Sequence, residues 1–123
     1  MAISPITCHV LDTSTGRPAE GVVIKLQQHE PRSDGSFLFN PLAQSITNSD
    51  GRCTDLLSPA LVAGTLNPGL YKIIFRTKEY FESKSVQSFY PWVEITFELS
   101  NPSEHYHIPL LISPYGFSTY RGS

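Results

Sequence analysis

His9, His105 and His107 are the side chains in this 123-residue sequence best suited to take and give protons near neutral pH, and Arg52 supplies a fixed positive charge for a carbonyl becoming an oxyanion. Their placement is what draws attention. In the run from His105 to Ile112, Tyr106, Ile108, Leu110 and Ile112 alternate as a core face, which puts His105 and His107 on the opposite face with Pro109 and Leu111. That second face is too apolar to be plainly solvated, so another layer or another subunit should cover it. The N-terminal segment behaves alike: Cys8 and Val10 suit a core, leaving Thr7, His9 and Leu11 on the other side. Arg52 directly follows the Asp50-Gly51 turn. Taken singly, each histidine reads as a surface or interface residue and Arg52 as an ion-pair partner. Pattern alone therefore yields a sheet protein with histidines on a non-core face.

The elements that must carry these residues are strands. Val93, Ile95, Phe97 and Leu99 alternate with Trp92, Glu94, Thr96 and Glu98; Tyr71, Ile73 and Phe75 oppose Lys72 and Arg76; Val22, Ile24 and Leu26 oppose Lys25 and Gln27. Between such runs come Gly16-Arg17-Pro18, Ser33-Asp34-Gly35, Asp50-Gly51, Asn67-Pro68-Gly69 and Ser113-Pro114-Tyr115-Gly116, all with turn chemistry. Short strands at this spacing predict an all-β sandwich or barrel in one domain, residues 1–123. Lys78 to Ser85 is the one stretch with helical composition, and residues 29 to 45 read as a long polar hairpin with His29 solvated at its base. A net charge of -2 offers no basic surface for a phosphate backbone, so nucleic acid is excluded as a partner. The absence of a long apolar run excludes a membrane span, and the N-terminal residues lack a leader pattern. A soluble, cytoplasmic protein is expected; the final residues are not a Ser-Lys-Leu peroxisomal address, which favours the cytoplasm only weakly over the peroxisome. Cys8 and Cys53 are expected as buried reduced thiols, since neither has the histidine and carboxylate neighbours of a thiol nucleophile.

Several motifs resemble the 5-hydroxyisourate hydrolases of the transthyretin-like family in order and spacing: Cys8-His9-Val10-Leu11-Asp12 leading to Gly16-Arg17-Pro18-Ala19, then Thr47 to Cys53, then His105 to Leu111, and finally Ser113 to Ser123. The closing Tyr120-Arg121-Gly122-Ser123 is the most specific piece, because that family ends on this tetrapeptide and the hormone carriers of the same fold do not. The resemblance implies a transthyretin-like sandwich of two four-stranded antiparallel sheets with one short helix. It also implies a homotetramer, a dimer of dimers whose intersubunit channel is lined by the non-core strand faces. Carried over residue by residue, His9, Arg52, His107 and Ser123 are the implied catalytic residues, and His9, Arg52, His107 and Tyr120 the implied substrate contacts. The implied reaction is hydrolysis of 5-hydroxyisourate, a cyclic amide, to 2-oxo-4-hydroxy-4-carboxy-5-ureidoimidazoline during urate breakdown to allantoin, without metal or organic cofactor. Alternation in the tail puts Tyr120 and Gly122 on one side and Arg121 and Ser123 on the other, so Tyr120 and Ser123 share a pocket only if the tail bends.

Two rivals belong beside this reading. His-x-His with His9 as a third donor has the makings of a zinc site, but no carboxylates can be placed behind the imidazoles. A transthyretin-like carrier would use the same channel for a small aromatic ligand. It has no need of proton-transfer groups there, which His9, Arg52 and His107 supply. His105 shares the face of His107 and is expected at the rim of the strand.

Overall fold

The computed structural model describes residues 4–57 and 66–123, and within them the alternating segments are strands. These are β1 (Ile6–Asp12), β2 (Arg17–Pro18), β3 (Val23–Glu30), β4 (Leu38–Ile46), β5 (Arg52–Cys53), β6 (Gly69–Phe75), β7 (Val93–Leu99), β8 (Tyr106–Ser113) and β9 (Gly116–Thr119). The predicted inward faces are the buried ones. Tyr71, Ile73 and Phe75 of β6, Ile24 and Leu26 of β3, Cys8 and Val10 of β1, and Ile108 and Leu110 of β8 meet in one core between two sheets. The outward members of β7, Glu94, Thr96 and Glu98, are exposed. Each fully buried aliphatic or aromatic side chain in such a core contributes about 1.5–3 kcal/mol of transfer free energy, which is why one face of β1, β3, β6, β7 and β8 is fixed and their register cannot slip.

One sheet runs β4-β3-β6-β7, antiparallel throughout; the other runs β2-β1-β8-β9, with β5 also paired to β1. Two details differ from a pair of four-stranded antiparallel sheets. The second sheet has five strands, because β2 and β5 lie end to end along the same edge of β1: Leu11 pairs Pro18, whereas Cys8 pairs Cys53. It is still four strands wide. Second, β1 and β8 are parallel, Thr7 lying opposite His107 and His9 opposite Pro109. Alternation reports which face a residue occupies and carries no information on the direction of its neighbour, so this pairing lay outside what the pattern could predict.

The helix, α1 (Thr77–Ser83), follows β6 and lies within one residue of the predicted start, though it stops two residues earlier than predicted. Seven residues do not make a stable helix alone. Tyr80 and Phe81 are buried against the core, and the Tyr80 hydroxyl donates to Asp12 Oδ2 at 2.8 Å across the sandwich. Burial and the neighbouring Asp12 carboxylate raise the Tyr80 phenol far above its usual range, so it stays protonated and remains a donor. Asp12 is itself buried, and its other oxygen accepts from the Ser14 amide and hydroxyl. Replacing Tyr80 with Phe removes one donor from a buried carboxylate and should cost about 1–3 kcal/mol, read as a lower midpoint in urea unfolding; an unchanged midpoint would show that the helix is held by packing alone.

The long hairpin is present as β3 and β4, paired from Val23–Ile46 to Glu30–Leu38 with a bulge after Leu26. Its turn is closed by the Asp34 carboxylate, which accepts from the Ser36 amide and hydroxyl. His29 departs from the solvated position expected of it. Its ring sits 5.7 Å from that of Phe37 and 5.3 Å from that of Phe39, and Nε2 is buried without a partner among the described residues. Cys8 and Cys53 are both buried, unbridged thiols, and burial raises both.

Candidate active site

Three short pieces of backbone converge on the outer face of the β1–β8 pair. The first is β1 itself, which alternates Cys8 and Val10 into the core and therefore turns Thr7 and His9 outward. The second is the turn before β5. Asn48 organises it: its side-chain oxygen accepts from the amides of Asp50 and Arg52, while its backbone exchanges bonds with Gly51 and Arg52. Gly51 has φ +73° and lies directly over the Val10 carbonyl, so a side chain there would be strained and would collide with β1. The result is to lay Arg52 opposite His9, with the Val10 amide donating to the Gly51 carbonyl at 2.8 Å. The third piece is β8, which turns His107 to the same side by its own alternation.

The two histidines are held differently. His9 Nε2 is 3.0 Å from the Asp50 carbonyl oxygen, so this nitrogen carries the proton and donates, and in the neutral ring Nδ1 is the acceptor. His107 places Nδ1 2.8 Å from Thr7 Oγ1, and its Nε2 has no hydrogen-bond partner among the described residues. The same Thr7 hydroxyl lies 3.0 Å from His105 Nε2, and the two imidazoles are stacked with centroids 6.3 Å apart. Thr7 is almost wholly buried beneath them. Burial first, then the cation of Arg52, then His105 and His9, all lower the His107 basicity from the ordinary imidazole value. A neutral imidazole with an open ring nitrogen is the form of histidine that accepts a proton. Among the described residues Arg52 forms no ion pair, so its charge is not neutralised by a carboxylate.

The tail is placed by β8. Gly122 bridges His107, in register with the Leu110–Thr119 pair three residues along each strand, and its amide donates to the His107 carbonyl at 2.9 Å. The tail thus runs straight as far as Gly122 instead of bending. That register sets Tyr120 opposite Pro109, on the His107 face and exposed, where it also borders the cavity described below. It sets Arg121 toward the sandwich, where its guanidinium lies 4.6 Å from the Tyr106 ring centroid and pairs with Glu104 at 3.1 Å. Ser123 is exposed, with no hydrogen bond to His9, Arg52 or His107 among the described residues. The structure therefore brings His9, Arg52 and His107 together, sets Tyr120 on the same face, and leaves Ser123 beyond it. Thr7, Asn48 and Gly122 are the residues whose part was not assigned from sequence. Of these, Asn48 had a local signal, since Asn-x-Asp-Gly is turn chemistry.

A cavity of about 250 Å3 lies elsewhere, between the sheets, lined by Ile95, Phe97, Tyr106 and Ile108 and closed by the tail from Thr119 to Arg121. It presents apolar walls and none of the three site residues. The histidine face, by contrast, is open in the single chain. Among the described residues, no three His, Cys, Asp or Glu side chains converge as a metal site, and one ring nitrogen each of His105 and His107 is directed at the Thr7 hydroxyl.

Fold and face together define a transthyretin-type β-sandwich carrying imidazoles and a guanidinium on the outside of one sheet. The chain belongs to the HIUase/Transthyretin family, which it matches over residues 6–122. It is 42% identical over 120 residues to the 5-hydroxyisourate hydrolase of Mus musculus, covering 98% of this chain and 96% of that protein. The solved 5-hydroxyisourate hydrolase of Klebsiella pneumoniae superimposes with a TM-score of 0.77 at 33% identity, over 99% of this chain and all of that one. Sea bream transthyretin, solved in complex with thyroxine, superimposes with a TM-score of 0.81 at 26% identity, over 97% of this chain and 95% of that one. Backbone shape is thus shared by the hydrolase and the thyroxine-bound transthyretin, and the side chains of the face must decide between the two readings.

Proposed function

We propose that the chain is a 5-hydroxyisourate hydrolase acting in urate degradation, a cyclic amide hydrolase whose site is built on His9, Arg52 and His107. The observation that carries this reading is the His107 imidazole on the face shared with His9 and Arg52, its Nδ1 anchored on Thr7 Oγ1 and its Nε2 without a partner among the described residues. The proposed chemistry follows from those groups. His107 Nε2 takes a proton from a water molecule as that water attacks the C6 carbonyl of the substrate. Arg52 offsets the charge growing on the carbonyl oxygen. His9, tethered to the Asp50 carbonyl, lies two residues along the sheet and helps hold the ring. Collapse of the tetrahedral species breaks the C6–N1 bond, N1 takes up the proton from His107, and the product is 2-oxo-4-hydroxy-4-carboxy-5-ureidoimidazoline. No step needs a metal or an organic cofactor.

The open face is the second part of the proposal. A substrate held on one exposed sheet would remain in water, which weakens every charge interaction the mechanism uses. Assembly as a homotetramer, a dimer of dimers, would cover that face and give it walls, with Tyr120 on the covered face; Ser123, past the straight part of the tail, would complete the pocket only by turning back from Gly122. We place the reaction in the cytoplasm. A carrier for an aromatic ligand is the alternative, and turnover separates the two. Urate freshly oxidised by urate oxidase yields a transient 5-hydroxyisourate absorbance, and added protein is expected to hasten its decay. Decay at the spontaneous rate would return the carrier to the front.

A further inference from the structure

Thr7 has a position that the hydrolytic reading does not use and that neither turn nor core packing requires. It is an outward-facing strand residue, opposite His107 in the parallel β1–β8 register, yet almost wholly buried. Its hydroxyl is within hydrogen-bond reach of two imidazole nitrogens, His107 Nδ1 at 2.8 Å and His105 Nε2 at 3.0 Å. A hydroxyl has one proton and can donate to only one of them. With both rings neutral, two arrangements direct the Thr7 proton at one of the rings. In one, His107 Nδ1–H donates to Thr7, and Thr7 donates on to His105 Nε2, which leaves a lone pair on His107 Nε2. In the other, every donor is reversed, and His107 Nε2 carries a proton it would first have to lose.

We propose that Thr7 is the positioning residue of the site, holding His107 in its Nδ1–H tautomer with Nε2 open toward the substrate, and that His105 commits the Thr7 proton by accepting it. This rests on the hydrolase reading above. The arrangement has a property the reverse one lacks. When His107 Nε2 takes a proton from water, Nδ1–H continues to donate to Thr7 unchanged, so no ring flip or hydrogen-bond reversal accompanies the chemical step. Thr7 is a positioning residue because, among the described residues, its hydroxyl bonds only the two imidazoles. The methyl group is incidental; the hydroxyl is the part that matters.

The test uses the full chain with Thr7→Val, which keeps shape and removes the hydroxyl, and Thr7→Ser, which keeps the hydroxyl. Losing the orienting partner of a functional imidazole is expected to lower kcat by roughly 10- to 100-fold while leaving KM close to the wild-type value. Thr7→Ser is expected to restore kcat to within about threefold of wild type, since the loss tracks the hydroxyl. In protein labelled with 15N at its imidazoles, the His107 resonances should report a proton on Nδ1 in wild type and in Thr7→Ser, and a mixture of tautomers in Thr7→Val. A His107 proton on Nε2 in the wild type would overturn the assignment, as would wild-type kcat in Thr7→Val. Should the wild-type protein fail to hasten 5-hydroxyisourate decay, the hydrolase reading falls, and the His107 tautomer in the three proteins still decides the role of Thr7.

Discussion

Replacing His107 with Ala is expected to lower kcat for 5-hydroxyisourate hydrolysis by roughly 10²- to 10⁴-fold, the usual worth of a positioned general base, in a protein that still folds. The side chain is only partly buried and contributes nothing to the core between the sheets, so the loss should appear in kinetics and not in unfolding. The pH dependence carries the same assignment. Burial is the largest cause of the lowered His107 basicity, followed by the Arg52 cation and then by His105 and His9, and each acts by disfavouring the imidazolium. A lowered value means that the neutral, proton-accepting form predominates at pH 7. Activity should therefore be flat near neutrality and fall on acidification, with a midpoint below the ordinary imidazole value of 6.5. The acid limb should vanish from whatever activity His107→Ala retains. A limb centred well above 6.5, or one that persists in the variant, would move the proton transfer to another group.

How much of this site could be read from the chain alone depends on which physical relation each residue obeys. The face of a strand residue follows from period-two alternation, a local property, and so the outward placement of His9 and His107 was legible, as were the core faces of β6, β7 and β8. The turn that fixes Arg52 was legible for the same reason, because Asn48, Asp50 and Gly51 are neighbours in sequence. The Thr7–His107 contact joins residues 100 apart, and the Tyr80–Asp12 bond joins residues 68 apart. Both depend on which strands and helices lie side by side. No periodicity encodes that, and the parallel direction of β1 against β8 was invisible on the same grounds. His29 was misplaced because the polar composition of its loop suggested solvent, whereas Phe37 and Phe39 across the hairpin enclose it. The tail was half legible. Its alternation was right, but whether it bends could be settled only by the Gly122–His107 bridge, which holds it straight against β8.

Gly122 has the second large expected effect, and it comes from closeness alone. A Cβ at this position would lie 2.5 Å from His107 Cδ2 and 3.1 Å from Pro109 Cγ, well inside contact distance for both. The His107 ring cannot simply swing aside, because its Nδ1 is held by Thr7 and Thr7 is buried beneath it. Pro109 is fixed within β8. In Gly122→Ala, therefore, either the tail peels from the β8 edge and loses the Gly122–His107 backbone bond, or the imidazole rotates away from Thr7. Ring rotation displaces Nε2 by a substantial fraction of an ångström, and misplacement of a reacting group on that scale costs on the order of 10²-fold in rate; peeling of the tail leaves Nε2 in place and carries Tyr120 off the His107 face. Stability should change little, since the affected segment is an exposed strand end outside the hydrophobic core. The expected signature is thus a fall in kcat with an unfolding midpoint close to that of the wild type. Thr7→Val helps to separate the two routes: if the ring rotates, Gly122→Ala adds little to the loss already caused by Thr7→Val, and if the tail peels away the two losses multiply. Full activity in Gly122→Ala would mean that the contact between tail and imidazole does not set the geometry of the site.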